Sequence, residues 1–265
     1  GLNSWNTTRT GGRNIIGGLF LGGNFWSDYN GTDTNRDGIG DTQLPYNSRG
    51  NISIGGDFAP LVIPKLSCGS IIRLNTTLTS DILDCTQTAL KIGADNIVLD
   101  CNGHVVDGIE NKNSYLGTYG IFNERYDNIT VKNCMVKDFE RGIYFYDHAN
   151  NGNVINNTLN NNTLGITVSF RSNYTNIINN TANNNGAGIY VSNSHTLIIS
   201  FNTLDNNGDG IYSSFTLNSI IVNNTASFNS DSGYHLQEIN ANNLLINNTA
   251  SFNSYGFLIM ANSNN

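Results

Sequence analysis

The stretch NIINNTANNNGAGIY, residues 176–190, decides the fold because the chain repeats it. Asparagine is a poor helix and strand former, yet the phrase returns as SIIVNNTASFNSDSGYH at 219–235 and as NLLINNTASFNSYGFLI at 243–259. Two series of residues advance together by roughly 22–24 residues, which is the spacing of a solenoid repeat. The glycine series is Gly120, Gly142, Gly165, Gly188, Gly210, Gly233 and Gly256, and the threonine series is Thr158, Thr181, Thr203, Thr225 and Thr249.

The short segments within each unit indicate strands. NIIN, GIYVS, LIIS and SIIVN alternate β-branched residues between clusters of Asn, Gly and Ser. No stretch offers ten residues of helical periodicity with caps, and the spaced leucines of leucine-rich repeats are missing. The sequence therefore predicts an all-β, parallel β-helix in which each coil adds a rung about 4.8 Å along the axis.

Such a coil explains the asparagines. Asparagine tolerates the left-handed backbone conformation that a sharp turn needs. Stacked on equivalent residues in neighbouring coils, its amide can donate and accept along the axis and form a ladder. At about 1 kcal/mol per hydrogen bond, such a ladder matters to a marginally stable domain. The alternative is that the asparagines form a sugar-binding array.

Composition narrows the class of protein. The 265 residues are 12% charged and 38% hydrophobic, with a net charge of −7. Few cations argue against nucleic acid and against an anionic membrane surface as partners. No apolar run approaches the roughly 20 residues of a membrane span, and no signal peptide is visible, as expected of a processed chain.

Cysteines and glycosylation sequons predict an extracellular location. Cys68 and Cys85 are expected to form a disulfide, whereas Cys101 and Cys134 either pair or are simply buried. Sequons within the repeated NNT phrase are expected to serve stacking. The glycosylation candidates are Asn6, Asn30, Asn51, Asn75, Asn128 and Asn173.

Three segments resemble the right-handed β-helix repeats of pectate-lyase-like, CASH and NosD-like proteins, which are abundant in archaeal surface proteins. They are NIVLDCNGHVVDG (96–108), NITVKNCMVKDF (128–139) and the NNT repeats. The opening block WNTTRTGGRNIIGGLFLGGNFWSDYNGTDTNRDGIGD (5–41) is still more similar to archaeal surface proteins. The resemblance implies a right-handed single-stranded parallel β-helix over residues 65–265, preceded by a small block at 1–64, and implies a location more firmly than an activity.

The loop DTNRDGIGD, residues 33–41, predicts a calcium site in the first block. Alternate spacing lets the side-chain oxygens of one tight loop converge on a hard cation, and a glycine permits the turn. Position 12 of an EF-hand-like loop is a leucine here, so Asp28 or another residue would complete the shell. The alternative is a turn without metal. The expected ligands are Asp33, Asn35, Asp37, Asp41 and the carbonyl of Ile39.

The aromatic residues beside this loop are expected to form a small core rather than a sugar-stacking platform. They are Trp5, Phe20, Phe25, Trp26 and Tyr29.

Catalysis is a weaker expectation. Glycoside hydrolysis needs two carboxylates about 5–9.5 Å apart, and Asp100 with Asp107, or Asp138 with Glu140, could supply them. The compact acid-and-histidine constellations of polygalacturonases and uronate epimerases are missing, so no catalytic residue is assigned. The candidates considered are Asp100, His104, Asp107, Asp138, Glu140, Arg141, Asp147 and His148, while His195 and His235 are interpreted as surface residues.

The two ends of the chain suggest self-association. The final repeat is as apolar as the interior ones, whereas the first residues read like the close of a preceding β-helix. We therefore expect a structural subunit of a surface filament, sheath or layer, in which the N-terminal block of one copy covers the last coil of the next. The alternatives are a glycan-binding adhesive module of a longer surface protein and, less strongly, a polysaccharide lyase or hydrolase.

Overall fold

The computed structural model describes residues 5–16, 18–35, 37–63, 66–109, 117–238 and 241–260. The chain divides into two compact units, Gly1–Leu66 and Ser67–Asn265, two residues after the boundary expected from the sequence. The first unit has little regular structure. Its strand β1 (Thr10–Gly11) pairs antiparallel with β2 (Phe20–Leu21), and a 3₁₀ turn spans Ser48–Gly50.

The second unit is a parallel solenoid in which the chain visits three sheets in turn. Its strands are β3 (Ser70–Ile72), β4 (Thr76–Thr77), β5 (Ile82–Cys85), β6 (Leu90–Ile92), β7 (Val98–Asp100), β8 (Val105–Gly108), β9 (Tyr119–Glu124), β10 (Thr130–Lys132), β11 (Met135–Lys137), β12 (Arg141–Tyr146), β13 (Asn153–Ile155), β14 (Thr158–Asn160), β15 (Leu164–Ser169), β16 (Asn176–Ile178), β17 (Thr181–Asn183), β18 (Ala187–Ser192), β19 (Ile198–Ser200), β20 (Asp209–Ser214), β21 (Ile220–Val222), β22 (Thr225–Ser227), β23 (Ser232–Gln237), β24 (Leu244–Ile246), β25 (Thr249–Ser251) and β26 (Tyr255–Ile259).

Equivalent strands of successive coils pair side by side. Sheet I contains nine strands, from β3 through β6, β9, β12, β15, β18, β20 and β23 to β26, and sheet II contains eight, from β4 to β24. Sheet III consists of β5, β8, β11, β14 and β17, followed by the pair β22 and β25. About eight turns and essentially no helix confirm the expected all-β parallel β-helix.

The core is a set of straight rows of like side chains. In sheet I, register pairs Ile143 with Ile166, Ile166 with Ile189 and Ile189 with Ile211, and all four side chains are fully buried. Alternation along each strand directs the intervening residues outward. A row of this kind requires close approach of neighbouring coils, and a Cβ on Gly165 would lie 2.5 Å from the carbonyl oxygen of Gly188.

The two asparagines of each NNT phrase have different roles. The first, such as Asn156 or Asn179, turns the corner in the left-handed region (φ 57° and 55°) and is exposed. Its side chain still stacks outside, because Asn179 Nδ2 donates to Asn156 Oδ1 at 2.8 Å. The second asparagine is buried. The amide Nδ2 of Asn157 donates to Asn180 Oδ1, and that of Asn180 donates to Asn202 Oδ1, both at 3.0 Å.

This row, which we call the inner ladder, comprises the buried Asn157, Asn180, Asn202 and Asn224 and, in the last coil, the partly buried Asn248. Each rung also bonds to the backbone: Asn180 Nδ2 donates to the carbonyl of Val154 at 2.9 Å, and Asn180 Oδ1 accepts the N–H of Asn157 at 2.9 Å. One amide thus satisfies groups in three coils, and in a buried site each of those groups would be costly to leave unpaired.

Among the described residues, five left-handed corners carry phenylalanine where other coils carry asparagine: Phe170, Phe201, Phe215, Phe228 and Phe252. Phe201, Phe228 and Phe252 have φ of 56–57° and are exposed, although an aromatic residue is disfavoured in this region. The rings of Phe228 and Phe252 lie 4.9 Å apart and nearly parallel, so stacking offsets part of that strain.

Two disulfides join elements of the first coils. Cys68 is bonded to Cys85, and Cys101, which directly follows β7, is bonded to Cys134 in the following coil. The described residues contain no free cysteine. Both bridges lie N-terminal to the inner ladder, so the later coils depend on hydrogen bonds and packing.

The inner ladder leads to a prediction for Asn180→Ala. This change removes the partners of the Val154 carbonyl and the Asn157 N–H at once, and each buried loss costs about 1–3 kcal/mol. We expect the free energy of unfolding, measured by denaturant titration, to fall by about 2–4 kcal/mol. The matched control is the adjacent Asn179→Ala, which should cost about 1 kcal/mol for its left-handed backbone. Equal losses in the two variants would contradict the distinction between the rows.

Candidate functional site

The predicted calcium loop folds as a tight turn in the first unit. The carboxylate of Asp33 accepts the N–H groups of Asp37 at 3.1 Å and of Gly38 at 2.8 Å. Asn35 Oδ1 accepts the same Asp37 N–H at 3.0 Å. Gly38 has φ +83°, a conformation that favours glycine. The turn therefore places the oxygens of Asp33 and Asn35 on one side, as calcium loops do.

The remaining predicted ligands have other partners. Asp37 Oδ1 accepts the N–H of Ile39 at 2.9 Å, and its Oδ2 forms an ion pair with Arg9 at 2.8 Å. Asp41 Oδ2 accepts the N–H of Thr34 at 2.7 Å and its hydroxyl at 2.5 Å, and this hydroxyl contact is the main reason that the pKa of Asp41 is lowered. Among the described residues, no three carboxylates of this loop have oxygens within 4.8 Å of one another.

Asp28 belongs to a separate arrangement. Its carboxylate accepts the hydroxyl proton of Tyr46 at 2.5 Å and pairs with Arg49 at 3.3 Å, and the hydrogen bond from Tyr46 lowers the pKa of Asp28. The loop thus offers the hard oxygen donors that suit calcium, with Arg9 and Thr34 bound to two of them.

The aromatic cluster of the first unit differs from the expected one. Trp5 lies 6.2 Å from Trp26, and Tyr46 contacts both Trp26 and Tyr29 at 5.2 and 5.4 Å between ring centroids. The inclusion of Phe20 and Phe25 was wrong, because Phe20 stacks under the guanidinium of Arg9 at 3.9 Å and Phe25 is exposed.

Sequence reasoning missed Asp57, which is fully buried. Its carboxylate accepts the backbone N–H of Asn24 at 2.6 Å, the indole N–H of Trp26 at 2.8 Å and the N–H of Ala59 at 2.9 Å. A buried carboxylate is costly unless its oxygens are hydrogen-bonded, and these three donors meet that need. No repeat marks this position, so the sequence carried no signal for it.

The acids considered for catalysis are held in ion pairs. Asp100 contacts Lys132 at 3.1 Å, and Lys137 bridges Asp107 at 2.8 Å and Asp138 at 3.0 Å. The pKa of Asp100 is lowered, chiefly by the side-chain amide of Asn133. A general acid requires the opposite shift, as burial beside apolar groups produces. These contacts favour a structural role for the three acids.

The other charged candidates are also paired. Asp147 accepts hydrogen bonds from Arg125 and His148, and the Arg125 contact lowers the pKa of Asp147 most. His104 Nδ1 lies 2.9 Å from Asp81.

Glu140 accepts the N–H of Gly117 at 2.8 Å. The guanidinium of Arg141 lies 4.3 Å from the ring centroid of Tyr144.

The outer face of sheet I carries aromatic side chains in rows. Phe122 and Tyr144 stack at 5.4 Å, and Tyr190 and Tyr212 stack at 5.0 Å with an interplanar angle of 1°. Rings that stack along the axis cover each other's faces and leave mainly their edges outward. A sugar platform needs free ring faces, so these rows support packing.

One group of potential metal ligands lies on this face. Among the described residues, Asp209, Asp231 and His235 form the only set of three His, Cys, Asp or Glu side chains whose ligand atoms lie within 4.8 Å of one another. The interpretation of His235 as a surface residue was wrong, because the residue is only 9% exposed. The repeat contained a signal for this group. Asp209 stands where the preceding repeat has Ala187, and His235 stands where the preceding repeat has Tyr212.

The glycosylation candidates differ in exposure. Asn6 and Asn173 are partly buried, and Asn173 Oδ1 accepts the N–H of His195 at 2.8 Å. The exposed candidates are Asn30, Asn51, Asn75 and Asn128. No helix in the described part of the chain is long and apolar enough to cross a membrane.

Several solved structures are similar to this chain at low sequence identity. The DFA-IIIase from Arthrobacter chlorophenolicus A6 in complex with GF2 is 14% identical, with a TM-score of 0.49 and coverage of 64% of this chain and 47% of that one. The same enzyme without its lid gives 12% identity and a TM-score of 0.48, covering 65% and 48%. The A-module of mannuronan C-5 epimerase AlgE4 from Azotobacter vinelandii gives 11% and 0.36, covering 74% and 80%. This chain thus spans about half the length of the first two.

Family patterns cover most of the chain. The family described as "Periplasmic copper-binding protein (NosD)" matches residues 1–31 and 51–212, and the family described as "Right handed beta helix region" matches 181–265. No curated protein matches.

The description of the NosD family names copper, so the side chains that could bind this metal matter here. Copper(I) favours thiolates and thioethers. In the described residues every cysteine is in a disulfide, and Met135 in β11 and Met260 after β26 are both exposed. His104, His148 and His235 each face an aspartate, so the described residues offer no cluster of sulfur donors or of several imidazoles for copper(I). The NosD family model matches most of the sequence, so the chain belongs to the NosD family, and the larger of its two units is a right-handed β-helix.

Proposed function

We propose that this chain is a structural module of an extracellular surface assembly. A family described as periplasmic and two disulfides support a location outside the cytoplasm. The solenoid itself supports a mechanical role. The amides of its inner ladder form hydrogen bonds to the coils before and after. On the outside, ion pairs and stacked rings also connect neighbouring coils.

The last described coil carries the proposal. Among the residues that the structure describes, its strands β24, β25 and β26 have a neighbour on one side only. Leu244, Ile246, Phe257 and Ile259 on this coil are between 44% and 54% exposed. Apolar side chains beside unpaired backbone groups favour coverage by another strand or loop.

The occupant we propose is the first unit of a second copy. That unit exposes apolar side chains of its own, and association would bury both sets. They are Ile15, Leu19, Leu21, Ile54, Phe58 and Ile63. Such head-to-tail contact joins two different surfaces, so it propagates into a filament unless the rotation closes a ring.

We also propose that calcium fixes the first unit. Asp33, Asn35 and Asp37 lie on one turn whose backbone is already folded around their oxygens. A cation there would displace Arg9 from Asp37 and draw in Asp41. In a unit with so little regular structure, this would make the proposed contact surface rigid.

Assembly leads to a prediction for Phe257→Asp. The ring of Phe257 packs on Tyr234 at 4.7 Å and is 47% exposed on the last described coil, so a carboxylate there would oppose burial. We expect sedimentation velocity and electron microscopy to show long assemblies of the unchanged chain and single particles of the variant.

The control for this experiment is Phe201→Asp. Phe201 is similarly exposed at a corner within the solenoid, and Asp tolerates its left-handed backbone. This variant should assemble normally. Monodisperse monomers of the unchanged chain at high concentration with calcium would overturn the proposed function.

Calcium binding leads to a prediction for Asp33→Asn. Calcium affinity depends on ligand charge, so calorimetry should show at least about tenfold weaker binding. At a hundred times the dissociation constant, calcium should stabilise the unchanged chain by about 2.7 kcal/mol, and chelation should reverse this. Asp28→Asn is the control, because that carboxylate faces Tyr46 and Arg49. Absence of a calcium-dependent shift, or equal effects of the two changes, would refute the site.

A further inference from the structure

Asp209, Asp231 and His235 come together because two coils of sheet I are paired. Asp209 begins β20, Asp231 directly precedes β23, and His235 lies in β23 opposite Tyr212. His235 Nδ1 lies 3.4 Å from Asp209 Oδ2. One oxygen of each aspartate and one imidazole nitrogen all lie within 4.8 Å of one another.

The group has a polar atom that the protein leaves unpaired. His235 Nε2 is buried without a hydrogen-bond partner. The backbone N–H of Ser232 donates to Asp209 Oδ1 at 3.1 Å and so fixes that carboxylate beside the histidine. Buried polar atoms are normally satisfied, so an unpaired nitrogen on the buried histidine of this group indicates a missing ligand.

The charges point to a cation. Two carboxylates, those of Asp209 and Asp231, lie beside a single imidazole. The register partners of these residues in neighbouring coils carry no charge that would compensate the two aspartates. Asp209 is paired with Ala187 of the preceding coil, and His235 lies between Tyr212 of the preceding coil and Leu258 of the next. Asp231 is exposed, so the group is open to solvent.

We propose that Asp209, Asp231 and His235 bind a first-row divalent cation such as Zn²⁺, with water completing the shell. Zinc accepts imidazole nitrogen and carboxylate oxygen at about 2.0–2.2 Å, which small side-chain rotations would provide here. Calcium prefers six to eight oxygens, and copper(I) prefers sulfur. A set of two carboxylates and one imidazole suits neither as well as it suits Zn²⁺.

The site would act as a clamp between coils. It bridges β20 and β23, whereas both disulfides lie at or before Cys134. A bound ion would hold the later coils together as the disulfides hold the early ones. This inference does not depend on self-assembly or on the calcium loop.

The test is titration of Zn²⁺ into the metal-free chain in the presence of saturating calcium, which occupies any site in the first unit. Calorimetry should show one ion bound per chain, with the melting temperature raised. Co²⁺ in place of Zn²⁺ should give visible d–d absorption that reports its ligands. Asp231→Asn, which alters an exposed side chain, should weaken binding at least tenfold and abolish the melting shift.

Two further variants make the result decisive. His235→Gln should remove the imidazole contribution to the Co²⁺ spectrum, which a merely structural change would not do. Asp84→Asn removes the same charge at an exposed left-handed position and should bind like the unchanged chain. Non-saturable binding, or equal binding by Asp231→Asn and Asp84→Asn with unchanged circular dichroism, would overturn the proposal.

Discussion

The inner ladder is the interaction on which the solenoid depends. A buried amide such as that of Asn180 has two donors and an oxygen acceptor, and here each finds a partner only if the coils before and after are in register. A slip of one residue would bring Asn179 or Thr181 to the position of Asn180, and the carbonyl and N–H groups that its amide now satisfies would be left unpaired. Register is therefore fixed by a penalty for error as well as by hydrophobic burial.

Register has consequences at the surface. Because each outward position is repeated coil after coil, like side chains stack into rows, and stacked rings such as Tyr190 and Tyr212 shield each other's faces. A ligand site then arises where a row changes character. One row changes from Ala187 to Asp209 between two successive coils, and another changes from Tyr212 to His235 between the next two.

The fold was predictable because the repeat makes one local pattern appear many times. The period, the strands and the parallel β-helix were all expected and are confirmed. Which asparagine of an NNT phrase is buried could not be read, since both suit a corner and only the path of the coil separates Asn179 from Asn180. The contacts of Asp57 and of Asp28 could not be predicted either. Both residues lie in the first unit, where no repeated pattern indicates which side chains are buried or paired. His235 was misjudged because a histidine considered alone gives no indication of the strand beside it.

Hydrogen–deuterium exchange of the amides along the whole chain tests the central claim most directly. If the inner ladder holds the coils in register, protection should be highest for the backbone of residues 131–226, including coils that contain no disulfide, and should fall toward the last coil. Strong protection confined to the disulfide-linked coils, with rapid exchange around Asn180 and Asn202, would contradict the account.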